Sequence, residues 1–243
     1  MLMQHEDLTG LGRKHAPDPR DKAFLLKAAA PQRGVSARTW YVRGVLDQGA
    51  SSMCVAYSGA KYLETHPVKN RLNMSLPTLY RECQLVDEWP GEDYDGTSVR
   101  ALFRVLKREG YVAEYRWTWD VDTMVNHLLS TGPICVGTEW LMSMFTPDCW
   151  DYLRPEGESA GGHAYLLIGV DTQKKNYDGT KGAFKMLNSW SAHWSENGRA
   201  LISFKDMQYL MDMQGEACVA TEVLLQGEQL VRLSQEQRTG ERS

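Results

Sequence analysis

The sequence predicts an α+β protein with segregated helical and strand layers, and two observations carry that prediction. Apolar residues in the first half recur at helical spacing, while those of the second half fall in short runs between turn-forming residues. The length, 243 residues, is ample for a sizeable core. Residues 1–35 are polar and broken by Pro17, Pro19, Pro31 and Gly34, which reads as an extended N-terminal arm with a helical turn near "DKAFLLKAAA". "TWYVRGVLD" reads as a short strand entering the loop that ends at Cys54. From there "CVAYSGAKYLETH" is a helix, with Ser51 or Ser52 as its N-cap and Pro67 just past its end. A second helix is predicted at 76–87 and a third in "TSVRALFRVLKREG", where Val99, Leu102, Phe103 and Leu106 share a face and Gly110 can end it. The same spacing runs through Val121, Met124, Val125 and Leu128 until Gly132 and Pro133 stop it. After Pro133 the runs "ICVGT", "HAYLLIGVD", "AFKMLNSW", "RALISF" and "ACVATEVLL" read as strands. The expected organisation is the arm 1–35, a mainly helical subdomain 36–132, a β-rich subdomain 133–230 and a polar tail 231–243.

Composition removes several classes of function. A net charge of −4 with both signs interspersed offers no basic stripe for nucleic acid. The longest apolar run, "AYLLIGV", is too short to span a bilayer, and "MLMQHEDLTG" carries acids where a secretory signal has a basic start. A cytoplasmic chain without membrane partners is therefore expected. Five cysteines, an odd number at wide spacing, argue against a disulfide framework and a zinc ribbon. No HExxH, GxxxxGK or GxSxG pattern occurs, so metal and nucleotide chemistry lack their motifs and no cofactor is expected. Oligomeric state stays open.

Taken alone, Cys54 would be one more small buried hydrophobe. Three separated segments give it company. Cys54 stands at a helix N-terminus, where the dipole favours a thiolate. His163, in "GGHAYLLIGVD", can supply an imidazole that pairs with the thiolate and later protonates a leaving amine. Asn188, in "MLNSW", can orient that ring through its side-chain carbonyl. Gln48, six residues before Cys54, can complete an oxyanion hole with the Cys54 backbone N–H. His193 is the rival base, expected to be exposed in its Trp-rich loop.

At these residues the sequence resembles the papain family of cysteine peptidases. Gln48, Gly49, Cys54, Tyr57 and Ser58 are similar to that family's nucleophile segment, and "GGHA" before an apolar strand to its histidine segment. "NSWSAHWSENGRALI" is similar to its asparagine segment, with Asn188, Ser189, Trp190, Trp194, Glu196, Asn197 and Gly198 at family spacing. The resemblance implies a two-subdomain fold, helical on the left and barrel-like on the right, with an active cleft between. It implies hydrolysis of a peptide or isopeptide bond through an acyl-enzyme on Cys54, with Gly96, Thr97, Gly162 and Trp190 along the peptide or protein substrate. Trp190 would also shield the His163–Asn188 bond from water, and the acidic run "DEWPGEDYDG" would bias the cleft against acidic side chains. An acyl transferase or amidase with the same triad, and a non-catalytic scaffold on the same fold, are the alternatives. Ser51 stands where the family has a partner cysteine, and Val55 where it has an aromatic residue. The first 35 residues are too short for the family's long inhibitory segment, resembling instead the lead-in of bacterial and phage members. The chain is thus expected to be active as made.

Overall fold

The structure is a computed structural model that describes residues 10–31, 33–91, 93–225 and 229–232. In chain order it holds β1 (Ala37–Thr39), α1 (Cys54–Glu64), α2 (Leu76–Gln84), α3 (Val99–Arg108), β2 (Val112–Thr118), α4 (Val121–Ser130), β3 (Ile134–Leu141), β4 (Ser159–Lys175), β5 (Lys181–Leu187), β6 (Arg199–Ser203), α5 (Phe204–Asp212), β7 (Glu216–Leu225) and β8 (Gln229–Arg232). A 3₁₀ turn at Pro19–Ala23 falls within the arm. Positions 1–9, and the predicted tail beyond residue 232, lie outside the described residues.

Short polar side chains start four of the helices. Ser75, Ser98, Asp120 and Ser203 each accept from a backbone N–H three residues on, satisfying a donor that the first turn leaves over. The exception is α1. Neither Ser51 nor Ser52 caps it; its N-cap is Met53 with no side-chain bond, and the Ser51 hydroxyl donates to the Gln48 carbonyl at 2.6 Å instead. The second predicted helix ends at Gln84, before residue 87. The sequence reading missed α5, although Met207, Leu210 and Met211 are buried at helical spacing.

Among the described residues eight strands form one antiparallel sheet in the order β2-β7-β3-β4-β5-β6, with β1 beside β4 and β8 beside β7. Strand β2 comes before residue 132 yet pairs with β7, so the sheet draws on both halves of the chain. The barrel-like closure expected for the right side does not form, because both outer edges are already covered. The arm pairs with β2, where Leu26 N donates to Trp117 O and Trp117 N to Phe24 O. Residues 151–153 pair with β6, where Leu153 N donates to Leu201 O and Leu201 N to Asp151 O.

Alternation along the strands builds two cores. In β4, Ala164, Leu166 and Ile168 pack with α1, α2 and α3, while Tyr165 and Leu167 pack with α4 and α5 on the other face. Cys135 and Cys218 lie on the first side, and Val136 and Val219 on the second. Helix α1 therefore sits on β4, which brings its first residue to the strand that carries His163.

Candidate active site

Cys54 is the first residue of α1 and fully buried. It packs in one core cluster with Ala164, the residue that follows His163 in β4. The His163 ring is held from its far side: Nε2 lies 2.8 Å from Asn188 Oδ1. That oxygen also accepts the backbone N–H of Ser189 at 2.8 Å, so it is the acceptor in both bonds. Nε2 therefore carries the ring proton and Nδ1 has a free lone pair. Nδ1 is buried and without a hydrogen-bond partner among the described residues.

Two local devices fix Asn188 and Gln48. Asn188 follows β5 directly, and its backbone N–H donates to Gly198 O at 2.9 Å, which closes the loop 188–198. The loop before Cys54 runs antiparallel to the same segment, with Gln48 N donating to Ser189 O and Ser191 N to Leu46 O. The side chains repeat the tie. Ser189 Oγ donates to Gln48 Oε1 at 2.5 Å, while Gln48 Nε2 donates one hydrogen to Ser51 O at 2.7 Å. The second hydrogen of that amide is left for another acceptor.

An aromatic wall encloses the ring. Trp140 meets His163 edge-on at 4.7 Å between centroids, and Trp190 lies at 4.8 Å. Phe145 stacks on Trp190 at 5.5 Å, and Trp194 Nε1 donates to Phe145 O. The wall keeps water from the His163–Asn188 bond and strengthens it electrostatically. Trp140 and Phe145 had no signal in the sequence beyond their apolar runs. His193 is exposed and stands outside this cluster.

The N-terminal arm runs across the site as an extended strand. Gly12 N and Arg13 N both donate to Gly162 O, at 3.0 and 2.9 Å, while Thr97 N donates to Gly12 O and Lys14 N to Thr97 O, each at 2.9 Å. Trp190 Nε1 donates to Gly10 O at 3.0 Å. The approach is close enough to require glycine on both partners. A Cβ on Gly12 would stand 2.1 Å from Ser52 O, one on Gly96 2.3 Å from Gly12 O, and one on Gly162 2.1 Å from Arg13 O. The four residues expected along a substrate, Gly96, Thr97, Gly162 and Trp190, thus all touch the arm. Tyr80, Gln84 and Asp87 order this wall: Tyr80 Oη accepts from Gly96 N, Gln84 Nε2 donates to Tyr94 O, and Thr97 Oγ1 donates to Asp87 Oδ2. Their helical spacing gave no hint of that task.

Sealing the cleft changes the electrostatics expected from the helix dipole. Burial pushes the Cys54 thiol up to about 12, against backbone N–H bonds and the Arg13 charge that favour the anion. Burial likewise pulls His163 down to about 4, against the Asn188 bond. Under the arm Cys54 is held as a thiol and His163 as a neutral imidazole, not as the ion pair that the sequence suggested.

A scan against family models finds no match, and a search of curated proteins finds none. Solved structures do match. Xylellain, a cysteine protease from Xylella fastidiosa, superimposes with a TM-score of 0.65 at 17% identity over 90% of this chain and 98% of its own. The chain has the papain-like fold. Procathepsin L2 proteinase from Tenebrio molitor larval midgut gives a TM-score of 0.63 at 16% identity, covering 87% of this chain and 78% of its own. The bromelain protease from Ananas comosus, in complex with the E64 inhibitor, gives 0.54 at 15% identity over 76% and 98%. On this papain-like fold the helix face bearing Cys54 and the strand bearing His163 meet, and the arm lies in the seam. Among the described residues no group of side chains is arranged to hold a metal ion, and no helix is long and apolar enough to cross a membrane.

Proposed function

We propose that the protein is a papain-like cysteine peptidase that hydrolyses peptide or isopeptide bonds through an acyl-enzyme on Cys54. The observation that carries the reading is the fixed tautomer of His163: Nε2–H is committed to Asn188, and a bare Nδ1 is buried on β4, the strand against which α1 packs with Cys54 at its start. In the reaction the Cys54 proton passes to Nδ1 and the thiolate attacks the substrate carbonyl carbon. The oxyanion takes the Cys54 backbone N–H, which no helical partner uses, and the remaining hydrogen of Gln48 Nε2. The imidazolium then protonates the leaving amine, and water, deprotonated by the same ring, releases the acid and restores the thiol. No step requires a cofactor. The unpaired cysteines, and Ser51 in place of a partner thiol, agree with a reducing, cytoplasmic setting.

The arm sets a condition on this chemistry. Its Gly12 and Arg13 N–H groups are both committed to Gly162 O and its Gly12 packs against Ser52 O and Gly96, so it lies over the site as a cover. The full chain is therefore closed until the arm moves, in place of the sequence-based expectation that it is active as made. Mass spectrometry of a peptide mixture incubated with the Gly12→Ala chain tests the function. Products shortened with a free carboxylate, absent with Gly12→Ala/Cys54→Ala, support hydrolysis. Products joined to an added amine in preference to water would favour acyl transfer, and identical spectra for both chains would favour the scaffold alternative.

A further inference from the structure

The arm carries consecutive basic residues through the cleft, and each has its own receptor. The Arg13 side chain is fully buried. Nε donates to Glu216 Oε1 at 3.0 Å, Nη2 donates to Gln214 O at 2.6 Å, and Nη1 lies 3.8 Å from Glu139 Oε1 without a hydrogen bond. Two strands omit side chains to make room. A Cβ on Gly137 would stand 2.9 Å from Arg13 Nε, and one on Gly162 would stand 3.0 Å from Arg13 Cδ. Lys14 points to the opposite wall, with Nζ 4.2 Å from the centre of the Trp89 ring and 3.9 Å from that of Tyr94. Trp89 and Tyr94 belong to the acidic run 87–96, where Asp87 accepts from the Tyr94 hydroxyl at 2.6 Å.

We propose that this is a substrate subsite: a glycine-walled pocket with Glu216 at its base that takes an arginine side chain, beside an aromatic seat for a second basic residue. The inference rests on the peptidase reading only in taking the cleft as the place where peptides bind. A carboxylate closed off from water is costly to leave without a partner, and burial already raises the Glu216 pKa against the lowering effect of Arg13. Among the described residues Arg13 is the one cation paired with Glu216. When the arm leaves, an incoming arginine restores the pairing, whereas an apolar side chain strands the carboxylate. The pocket reads the side chain, so a peptide running in either direction can fill it. The preferred peptides therefore carry adjacent basic residues, and the arm is a built-in copy of them.

The test is binding, which does not depend on turnover. In the full chain carrying Arg13→Ala/Lys14→Ala, titration calorimetry compares a heptapeptide copying residues 10–16 with the same peptide bearing citrulline, neutral and nearly isosteric, in place of arginine. The arginine peptide is expected to bind at least about tenfold more tightly, and Glu216→Gln in that background to bring the two within about twofold. Glu139→Gln, at a partly exposed position, should narrow the gap by a few-fold and serves as the second variant if Glu216→Gln melts early. Equal binding of both peptides, binding of neither, or a preference that survives in a folded Glu216→Gln chain overturns the proposal. Failure of Cys54 to react with electrophiles would instead sink the peptidase reading and leave this result standing.

Discussion

Two segments lie against the site that holds Cys54 and His163, and they are held in different ways. The loop 188–198 is tied by backbone bonds at both ends and faced with indoles; it carries the acceptor that sets the His163 tautomer. The arm at 10–16 crosses the same site on four backbone bonds and a row of ionic and cation–π contacts. Further along, Arg100 holds the arm by its Ala16 carbonyl and the Asp21 carboxylate. Indoles packed in a dry wall have no better partner in water. Charged side chains do, and another peptide can take their places. The first segment is built to stay and the second to be exchanged.

The largest effect that sharpens this contrast comes from the pair itself. Cys54→Ala should reduce turnover by roughly 10⁶-fold, the scale found when the nucleophile leaves a device that acts as a unit, and adding His163→Ala should change little more. Steady-state kinetics on the arm-opened chain measures both. Gln48→Ala removes one oxyanion donor and should lower kcat by roughly a hundred- to a thousand-fold. The same assay reads it, and an unchanged kcat would assign the oxyanion to other donors.

Breaking the cover acts in the other direction. Gly12→Ala pushes a methyl group against Ser52 O, where overpacking costs about 1–3 kcal/mol, so the rate of Cys54 alkylation should rise roughly five- to a hundredfold. The corresponding change in the fixed loop, Gly198→Ala, meets Val45 Cγ1 at 2.5 Å and should instead lower the melting temperature. Acid should loosen the arm as well. His163 is held near 4 in the closed state against an ordinary 6.5, and His15 is lowered by burial and by Arg13. Opening lets these rings take up protons. Both act with one sign. Closure is favoured above about 6.5, and His163 alone weakens it by up to about tenfold per pH unit between there and 4. Hydrogen-exchange protection factors at the Arg13 and Lys14 amides, followed across that interval, should fall accordingly; constant values would contradict the coupling.

The smallest catalytic effect belongs to Asn188. Asn188→Ala costs one hydrogen bond that orients the ring, so kcat should fall by roughly tenfold, well short of the loss for His163→Ala.

How much of this the sequence disclosed divides along the same line. Cys54, His163, Asn188 and Gln48 could be singled out because the proposed chemistry calls for particular residue types within patterned segments, and α1, α3 and α4 were legible because their apolar residues keep helical spacing. The residues missed are those whose role depends on what crosses the cleft. Arg13 and Lys14 look like ordinary charges in a polar stretch until Gly137 and Gly162 are seen to leave room for one of them. Glu216 gave only a faint sign, a carboxylate at the start of the apolar run "ACVATEVLL". Open closure of the sheet was equally hidden, since the arm and residues 151–153 cover its edges from far along the chain. Sequence pattern records local periodicity and side-chain chemistry; it does not record which segment will lie across another.

The most direct measurement is labelling with an epoxysuccinyl inhibitor followed by peptide mapping, on the parent chain, the Gly12→Ala chain and the Gly12→Ala/His163→Ala chain. The account predicts an adduct on Cys54 and on no other cysteine, slow in the parent, faster by at least about fivefold in Gly12→Ala, and lost with His163→Ala. Absence of a Cys54 adduct in Gly12→Ala, while the exposed Cys149 still reacts with iodoacetamide, would contradict the claim that a His163-activated thiol waits beneath the arm.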